Sequence, residues 1–341
     1  MAQSKALTPT ARRSLDARHG IARQDMATGL AGLFRPVIRG KRAWVEGIHQ
    51  PWNGGILEFA GPELDAGDLL VLLACQVIAL RQHEDGSATK RAGKEAAIVP
   101  QTKAQAENKA LEAPTLGIQT AMAEICRLIG RDPDDGRAHA AIKASLKRLS
   151  AIVVEARAGG DWATTQLLAS PAGNRRGAVT VALNYRLTRA LLGEGSYGRI
   201  DVQALAALPP ITQVLAAWLA CWRPGYGQCP AIGLDTLCGH VWREPAKGSA
   251  QQRDRRRQAK KALAMLPKGE WLVSIADGMV SIERIKERGQ PVFSATQTRV
   301  FGHAPLSKNR PCTRTPHEMG RESTKKPGPD RPWRATGGER E

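Results

Sequence analysis

Several features that mark common classes of protein are scarce or missing in this sequence. It contains 6 cysteines in 341 residues and no Cys-x-x-Cys pair. Cys238 and His240 form one close pair, but no second pair follows at the spacing of zinc ligands. No apolar run approaches the ~20 residues of a membrane-spanning helix, and the N-terminus lacks a signal-peptide core. We therefore expect a cytoplasmic protein with buried free thiols, no metal, no cofactor and no membrane contact.

Catalytic motifs are missing as well. The stretch GSATKRAGKE (86–95) is nearest to a phosphate-binding loop, but six residues separate its glycines where four are required. The 7 histidines form no His-x-His pair, and no Asp-x-Asp pair lies in an apolar strand. We expect a protein that is not an enzyme. A nuclease or primase remains a rival interpretation, and incubation of plasmid with Mg²⁺ separates the two.

Negative charge is also in short supply. The chain has 50 Lys and Arg against 32 Asp and Glu, a formal net charge of +18. Such a surface attracts polyanions, because cationic side chains release the counterions condensed on phosphates. With no support for a membrane, nucleic acid is the expected partner.

The pattern along the chain predicts an α+β fold of two tandem winged-helix domains between disordered basic termini. Residues 1–28 are read as a disordered basic arm, 29–194 as the first winged-helix domain with a polar loop at about 83–114, 195–285 as the second, and 286–341 as a disordered basic tail. Within the first domain, short apolar runs predict a hairpin at 43–60 and a buried helix at 66–81.

Each predicted domain contains two helices joined by a turn and followed by strands. In the first, a helix that ends at Gly130 precedes a second helix at 137–149, and strands are expected at 152–157, 162–169 and 178–184. In the second, helices at 201–208, 211–222 and 234–242 precede a basic helix at 249–265 and a hairpin that turns at Asp277-Gly278. Helices followed by a small antiparallel sheet are typical of a winged helix.

The basic helices are the candidate DNA-binding elements, since an α-helix fits the major groove and arginine can donate two bonds to guanine. For the second helix we expect Arg255 and Arg256 at or near bases and Arg253, Lys260 and Lys261 on phosphates. In the first helix, phosphate contact is expected from Lys143, Lys147 and Arg148. The full set of candidates is Arg137, Lys143, Lys147, Arg148, Arg175, Arg176, Arg253, Arg255, Arg256, Arg257, Lys260 and Lys261.

Simpler interpretations of these residues remain open. A run of charge is often only a solvated helix face. Arg175 and Arg176, in the turn GNRRG (173–177), either enter the minor groove as a wing or form a basic surface turn. The tryptophans could stack on single-stranded bases, but we expect them in the apolar core. These are Trp44, Trp52, Trp218, Trp222 and Trp242.

Five stretches resemble a known family: GLFRPVIRG (32–40), ILEFAGPELDAGDLLVL (56–72), VTVALN (179–184), LGEGSYGRIDVQALAAL (192–208) and IGLDTLCGHVWREPAKGSAQQRDRRRQAKKAL (232–263). The family is that of the RepC initiators of IncQ plasmids. The resemblance covers about 30–285 and is most specific at Asp235–Trp242.

The resemblance implies a plasmid replication initiator that binds directly repeated origin sequences (iterons) as double-stranded DNA, promotes origin opening and helps to load a helicase. It also implies plasmid-encoded helicase and primase partners, and a homodimer is compatible with it. The alternative is a winged-helix transcriptional regulator, which would have an effector pocket or a long dimerisation helix. The tail beyond 286 is outside the resemblance, and a non-specific DNA arm or an extension without function are both open.

Overall fold

The computed structural model describes residues 8–38, 40–52, 55–86, 115–158, 160–174 and 177–285. These residues belong to one compact unit of mixed α+β structure, which confirms the fold class at that level. The predicted tail, most of the predicted polar loop, and Arg175 and Arg176 lie outside the described residues.

The helices are α1 (Pro9–His19), α2 (Met26–Leu30), α3 (Ala66–Glu84), α4 (Met122–Leu128), α5 (Gly136–Ser150), α6 (Tyr185–Leu192), α7 (Val202–Ala206), α8 (Pro210–Trp222), α9 (Leu234–Trp242) and α10 (Ser249–Ala264). The strands are β1 (Ile21–Asp25), β2 (Phe34–Arg35), β3 (Trp44–Trp52), β4 (Gly55–Pro62), β5 (Leu64–Asp65), β6 (Gly117–Ala121), β7 (Val153–Ala158), β8 (Asp161–Gln166), β9 (Leu168–Gly173), β10 (Ala178–Leu183), β11 (Tyr197–Asp201), β12 (Gly227–Gln228), β13 (Ile232–Gly233), β14 (Trp271–Ala276) and β15 (Met279–Arg284). Among the described helices, none is both long and apolar enough to cross a membrane.

The predicted disordered arm is wrong for residues 8–28, which contain α1, β1 and α2. Strand β1 pairs with β11, which lies far along the sequence. Asp16 of α1 is fully buried and accepts hydrogen bonds from Arg23 of β1 and Arg199 of β11. The basic composition suggested an arm because the contacts that order this segment with β11, Arg199 and Glu84 come from residues distant in sequence.

A first helical unit is formed by α3, β6, α4, α5, β9 and β10, in chain order, with β7 and β8 inserted between α5 and β9 and belonging to another sheet. Its central helix α3 is buried almost all round, and Asp65 and Asp68 form a capping box at its N-terminus. The strands form an antiparallel sheet in the order β6–β10–β9. We call this set of elements the first unit.

The same order of elements recurs as α8, β13, α9, α10, β14 and β15, which we call the second unit. Strand β15 pairs with both β13 and β14, as β10 pairs with both β6 and β9. The predicted turn at Asp277-Gly278 is confirmed: both residues have positive φ, 50° and 76°, as a tight two-residue hairpin turn requires. The repeat seen in the sequence is therefore present as a repeat of topology.

The three strands predicted after α5 do not form one sheet. The run 162–169 is interrupted at Leu167, where β8 ends and β9 begins. Strands β7 and β8 join the β3–β4 hairpin in a sheet of order β3–β4–β7–β8, with Phe59 opposite Val154. The prediction was wrong because β4, whose Leu57 and Phe59 are buried, pairs along its backbone with β7 from beyond α5.

The predicted domain boundary at 194/195 does not coincide with a division of the core. The β1–β11 pairing crosses it, and the two apolar cores meet along α8. Val214 and Ala217 face the first core, whereas Leu215 and Trp218 face the second. A helix apolar on both sides serves two cores, and its sequence position alone did not reveal this.

Candidate nucleic-acid interface

Helix α10 packs on the second core through one narrow face. Ala259, Ala262 and Leu263 are buried there, beneath α8 and α9. With 3.6 residues per turn, the positions on the opposite side of the helix are those of Arg253, Arg257 and Lys261. The small core face leaves most of the helix surface accessible to a ligand.

The outward face of α10 is strongly cationic. Arg253, Lys260 and Lys261 are exposed and make no ion pair with the part of the chain that the structure describes. Arg257 pairs with Asp254 one turn away on the same helix, yet its side chain is 82% exposed. Among the described residues, this face therefore presents three cations without an ion pair, and a fourth, Arg257, that has one ion pair but stays largely exposed.

Arg255 and Arg256 do not belong to that outward face. Arg255 donates to the carbonyl of Glu244 and lies over the ring of Trp242, 5.7 Å from its centroid. Arg256 donates from Nε and Nη2 to the two carboxylate oxygens of Asp235 in α9, with the Nε bond at 2.6 Å. These hydrogen bonds lower the pKa of Asp235 and raise that of Arg256. Both arginines, which we expected at or near bases, tie α10 to its neighbours.

Helix α5 of the first unit has a sparser cationic face. Ile142, Leu146 and Leu149 are buried against α3 and the adjoining strands. Arg137, Lys143 and Lys147 are exposed on other sides of the helix, and the described residues offer them no ion-pair partner. Alanines lie between these cations, so the positive charge along α5 is less dense than along α10.

Arg148 is held in place at the inner edge of α5. Its Nη2 donates to Oδ1 of Asp68 at 2.6 Å, and its Nε lies 3.1 Å from the same oxygen. Asp68 is fully buried and also accepts from Arg42 at 3.3 Å. A buried carboxylate needs such partners, so the geometry favours a structural role for Arg148 over the expected phosphate contact.

Arg175 and Arg176 lie outside the described residues, and the structure leaves both interpretations of them open. Around them, β9 and β10 pair from Gly173 and Val179 inwards, and the amide of Ala178 donates to the side chain of Asn174 at 3.2 Å. The described residues on either side therefore form an antiparallel hairpin.

The expectation that the tryptophans are core residues is confirmed for four of the five. Trp218 is buried and stacks on Trp222 and on His240, with ring centroids 5.1 and 4.2 Å apart. Trp52 and Trp242 are partly buried against the first and second cores. The expectation is wrong for Trp44, which is 59% exposed at the start of β3, a strand in which no residue is fully buried.

Sequence reasoning did not find the acidic partners of these helices. Asp68 completes the capping box of α3, and it also accepts from Arg42 and Arg148. Asp235 begins the segment where the RepC resemblance is most specific, but no local pattern pointed to its pairing with Arg256. Among the described residues, no group of three His, Cys, Asp or Glu side chains could hold a metal ion.

The model of the family described as Replication protein C (RepC) matches residues 16–286, well over half of the chain. This chain belongs to the RepC family. The match includes both helical units and begins within α1, so the RepC resemblance seen in the sequence is confirmed and extended toward the N-terminus. The chain is therefore a replication initiator of the RepC type.

Comparison of this RepC chain with solved structures finds crystal structures of domains 2 and 3 of RctB. One, of selenomethionine derivatives, has a TM-score of 0.46 at 13% identity and covers 79% of this chain and 96% of that one. A second has a TM-score of 0.42 at 12% identity and covers 75% and 97%. The comparison with curated proteins found no match.

Proposed function

We propose that this RepC-family chain binds directly repeated sequences of a plasmid origin as double-stranded DNA through two winged helices. The first and second units are these winged helices, with α5 and α10 as their recognition helices and the β9–β10 and β14–β15 hairpins as wings. One observation carries the proposal: two units of the same topology each present an exposed cationic helix in the same position.

The topology supports this assignment. In a winged helix the third helix enters the major groove and the hairpin that follows contacts the backbone or the minor groove. Helices α5 and α10 each stand third in their unit, after a long apolar helix and a short one. The β14–β15 hairpin follows α10 directly, and the β9–β10 hairpin follows α5 after β7 and β8. Arg137, Lys143 and Lys147 on one helix and Arg253, Lys260 and Lys261 on the other have charges free to neutralise phosphates.

The candidates for base reading in α10 change with the geometry. Arg253 and Arg257 lie about one turn apart on the outward face and are long enough to reach base edges in a groove that this face enters. Arg255 and Arg256 instead position the helix. Lys260, Lys261, Lys143 and Lys147 are assigned to phosphates, which fix orientation without reading sequence.

Binding of this kind leads to origin opening without catalysis by this chain. Two recognition helices on one duplex can bend or untwist it, which promotes strand separation in a neighbouring A+T-rich stretch. The chain then helps to load a helicase, while unwinding and primer synthesis fall to separate plasmid-encoded helicase and primase proteins, in keeping with the family. Incubation with plasmid and Mg²⁺ should leave the DNA intact.

The test is a footprint of the full chain on its own plasmid's origin at moderate salt, with an unrelated duplex as competitor. We expect protection that recurs along direct repeats, with two protected segments in each repeat. Uniform protection that disappears as salt is raised would mean that the +18 charge alone explains binding, and would overturn the proposal. Protection of one promoter-like site without repeats would favour a transcriptional regulator.

A further inference from the structure

A continuous series of polar contacts connects the two cationic helices. It begins at Arg255 in α10, which donates to the backbone carbonyl of Glu244 just beyond α9. The carboxylate of Glu244 accepts from Arg35 in β2 at 2.7 Å. Arg35 also pairs with Glu63 at 3.2 Å, so this one guanidinium joins the second unit to the segment that enters α3.

The series continues from Glu63 to helix α5. Arg42 donates to the backbone carbonyl of Glu63 at 3.1 Å and to the carboxylate of Asp68 at 3.3 Å. Asp68, fully buried in the first turn of α3, accepts in turn from Arg148 of α5. Both end residues, Arg148 and Arg255, looked like DNA contacts in the sequence.

The backbone at the junction is shaped to make these contacts. Arg243, between Trp242 and Glu244, has φ of 55°, a conformation that costs a side-chain-bearing residue about 1 kcal/mol or more. Its guanidinium reaches to 3.8 Å from Glu63 and lines a small cleft with Val45 and Phe59. Burial and the nearby charge of Arg35 lower the pKa of Arg243. The costly backbone conformation at Arg243 brings its guanidinium to Glu63. This indicates that the contact between the two parts of the molecule is a specific feature of the fold.

We propose that this series, Arg255–Glu244–Arg35–Glu63–Arg42–Asp68–Arg148, fixes the separation and angle of α5 and α10 and so sets the spacing between the two DNA segments that one molecule recognises. Arg35 and Glu244 act as positioning residues and do not touch DNA. The statement about the spacing of DNA segments rests on the proposed function. The statement that the series fixes the separation and angle of α5 and α10 does not depend on DNA.

Glu244 is the link at which to break the series. Its side chain is 59% exposed, so Glu244→Gln removes the charge without opening a core. Glu270→Gln is the matched control: it removes a part-exposed carboxylate that pairs with Arg284 wholly within the second half of the chain. Arg35→Gln breaks the same junction from the other side.

The first measurement needs no DNA. Spin labels are placed on exposed alanines of the two helices, as Ala140→Cys and Ala264→Cys, in a Cys312→Ser background; the five cysteines in the described residues are buried. Pulsed dipolar spectroscopy then gives the distribution of distances between labels. We expect Glu244→Gln and Arg35→Gln to broaden it and Glu270→Gln to leave it narrow. Equal widths in all variants would overturn the inference, whatever the protein binds.

The second measurement uses the full chain and a single origin repeat, natural or with one or two base pairs inserted between its two protected segments. Unmodified protein should bind the expanded repeats at least tenfold more weakly, and Glu244→Gln should reduce that ratio severalfold. An unchanged ratio in Glu244→Gln would contradict the inference. Failure of the unmodified protein to protect repeats would instead contradict the proposed function, and the spectroscopic result would still decide the inference.

Discussion

The first and second units have the same order of elements but carry their charge differently. Helix α10 has four exposed cations on its outer side, Arg253, Arg257, Lys260 and Lys261, whereas α5 has three that are more widely spaced, Arg137, Lys143 and Lys147. In both helices, the arginines nearest the core face are held by carboxylates or carbonyls of neighbouring elements. The number of basic residues in such a helix therefore overstates the number whose charge is free for a ligand.

The exposed cations of the two units also differ in kind, and from this we expect the units to contribute differently to DNA binding. Helix α10 offers arginines, which can bind a guanine edge through two hydrogen bonds, while the exposed face of α5 is mainly lysine, a point charge suited to phosphate. We expect the second unit to provide sequence selectivity and the first to provide a salt-dependent hold on the neighbouring turn.

The largest expected effect comes from Arg148, and it is on stability. Arg148→Ala leaves the buried Asp68 with Arg42 as its remaining cationic partner among the described residues, and should lower the free energy of unfolding by about 3 kcal/mol, the lower end of the range for a buried pair that loses one member. Chemical denaturation measures this, with the exposed Lys147→Ala as control at under about 0.5 kcal/mol. A stable Arg148→Ala protein with weakened DNA binding would return Arg148 to the DNA contacts.

The next effect distinguishes outward from inward arginines of α10. Arg253→Ala and Arg257→Ala should each weaken binding to an origin repeat by roughly 1–3 kcal/mol and relax the preference for one base position. Arg256→Ala, which removes the pair with Asp235, is the matched control and should keep base preference. Competition titrations against repeats with single base changes measure both quantities. A greater loss of base preference in Arg256→Ala than in Arg257→Ala would restore the sequence-based assignment.

Sequence patterns predicted the elements well where the cause of structure was local. The turn at Asp277-Gly278, the buried helix α3 and the basic helices α5 and α10 all follow from periodicity, capping and turn chemistry within a few residues. The repeat of helices and strands was visible for the same reason.

Predictions failed where the cause was a contact between distant parts of the chain. Residues 21–25 of the predicted arm form a strand that pairs with 197–201, and β7 pairs with β4 instead of joining the expected sheet. The partners of Arg255 and Arg256 could not be seen in the sequence for the same reason, because Glu244 and Asp235 come within reach only when α9 and α10 pack together. Their expected place at or near bases stays a prediction. The sequence of a helix does not show which of its arginines form hydrogen bonds to neighbouring elements of the same chain.

The smallest effect tests the part assigned to the first unit. Lys143→Ala and Lys147→Ala should weaken binding to origin and unrelated duplexes alike, since a phosphate contact carries no sequence information. Each lost contact should reduce the slope of log affinity against log salt by about 0.9. Titrations at several salt concentrations measure that slope, and the same substitution at Lys260 provides the comparison in the second unit. A loss confined to the origin repeat would mean that α5 reads bases, and the division of work between the two units would then be wrong.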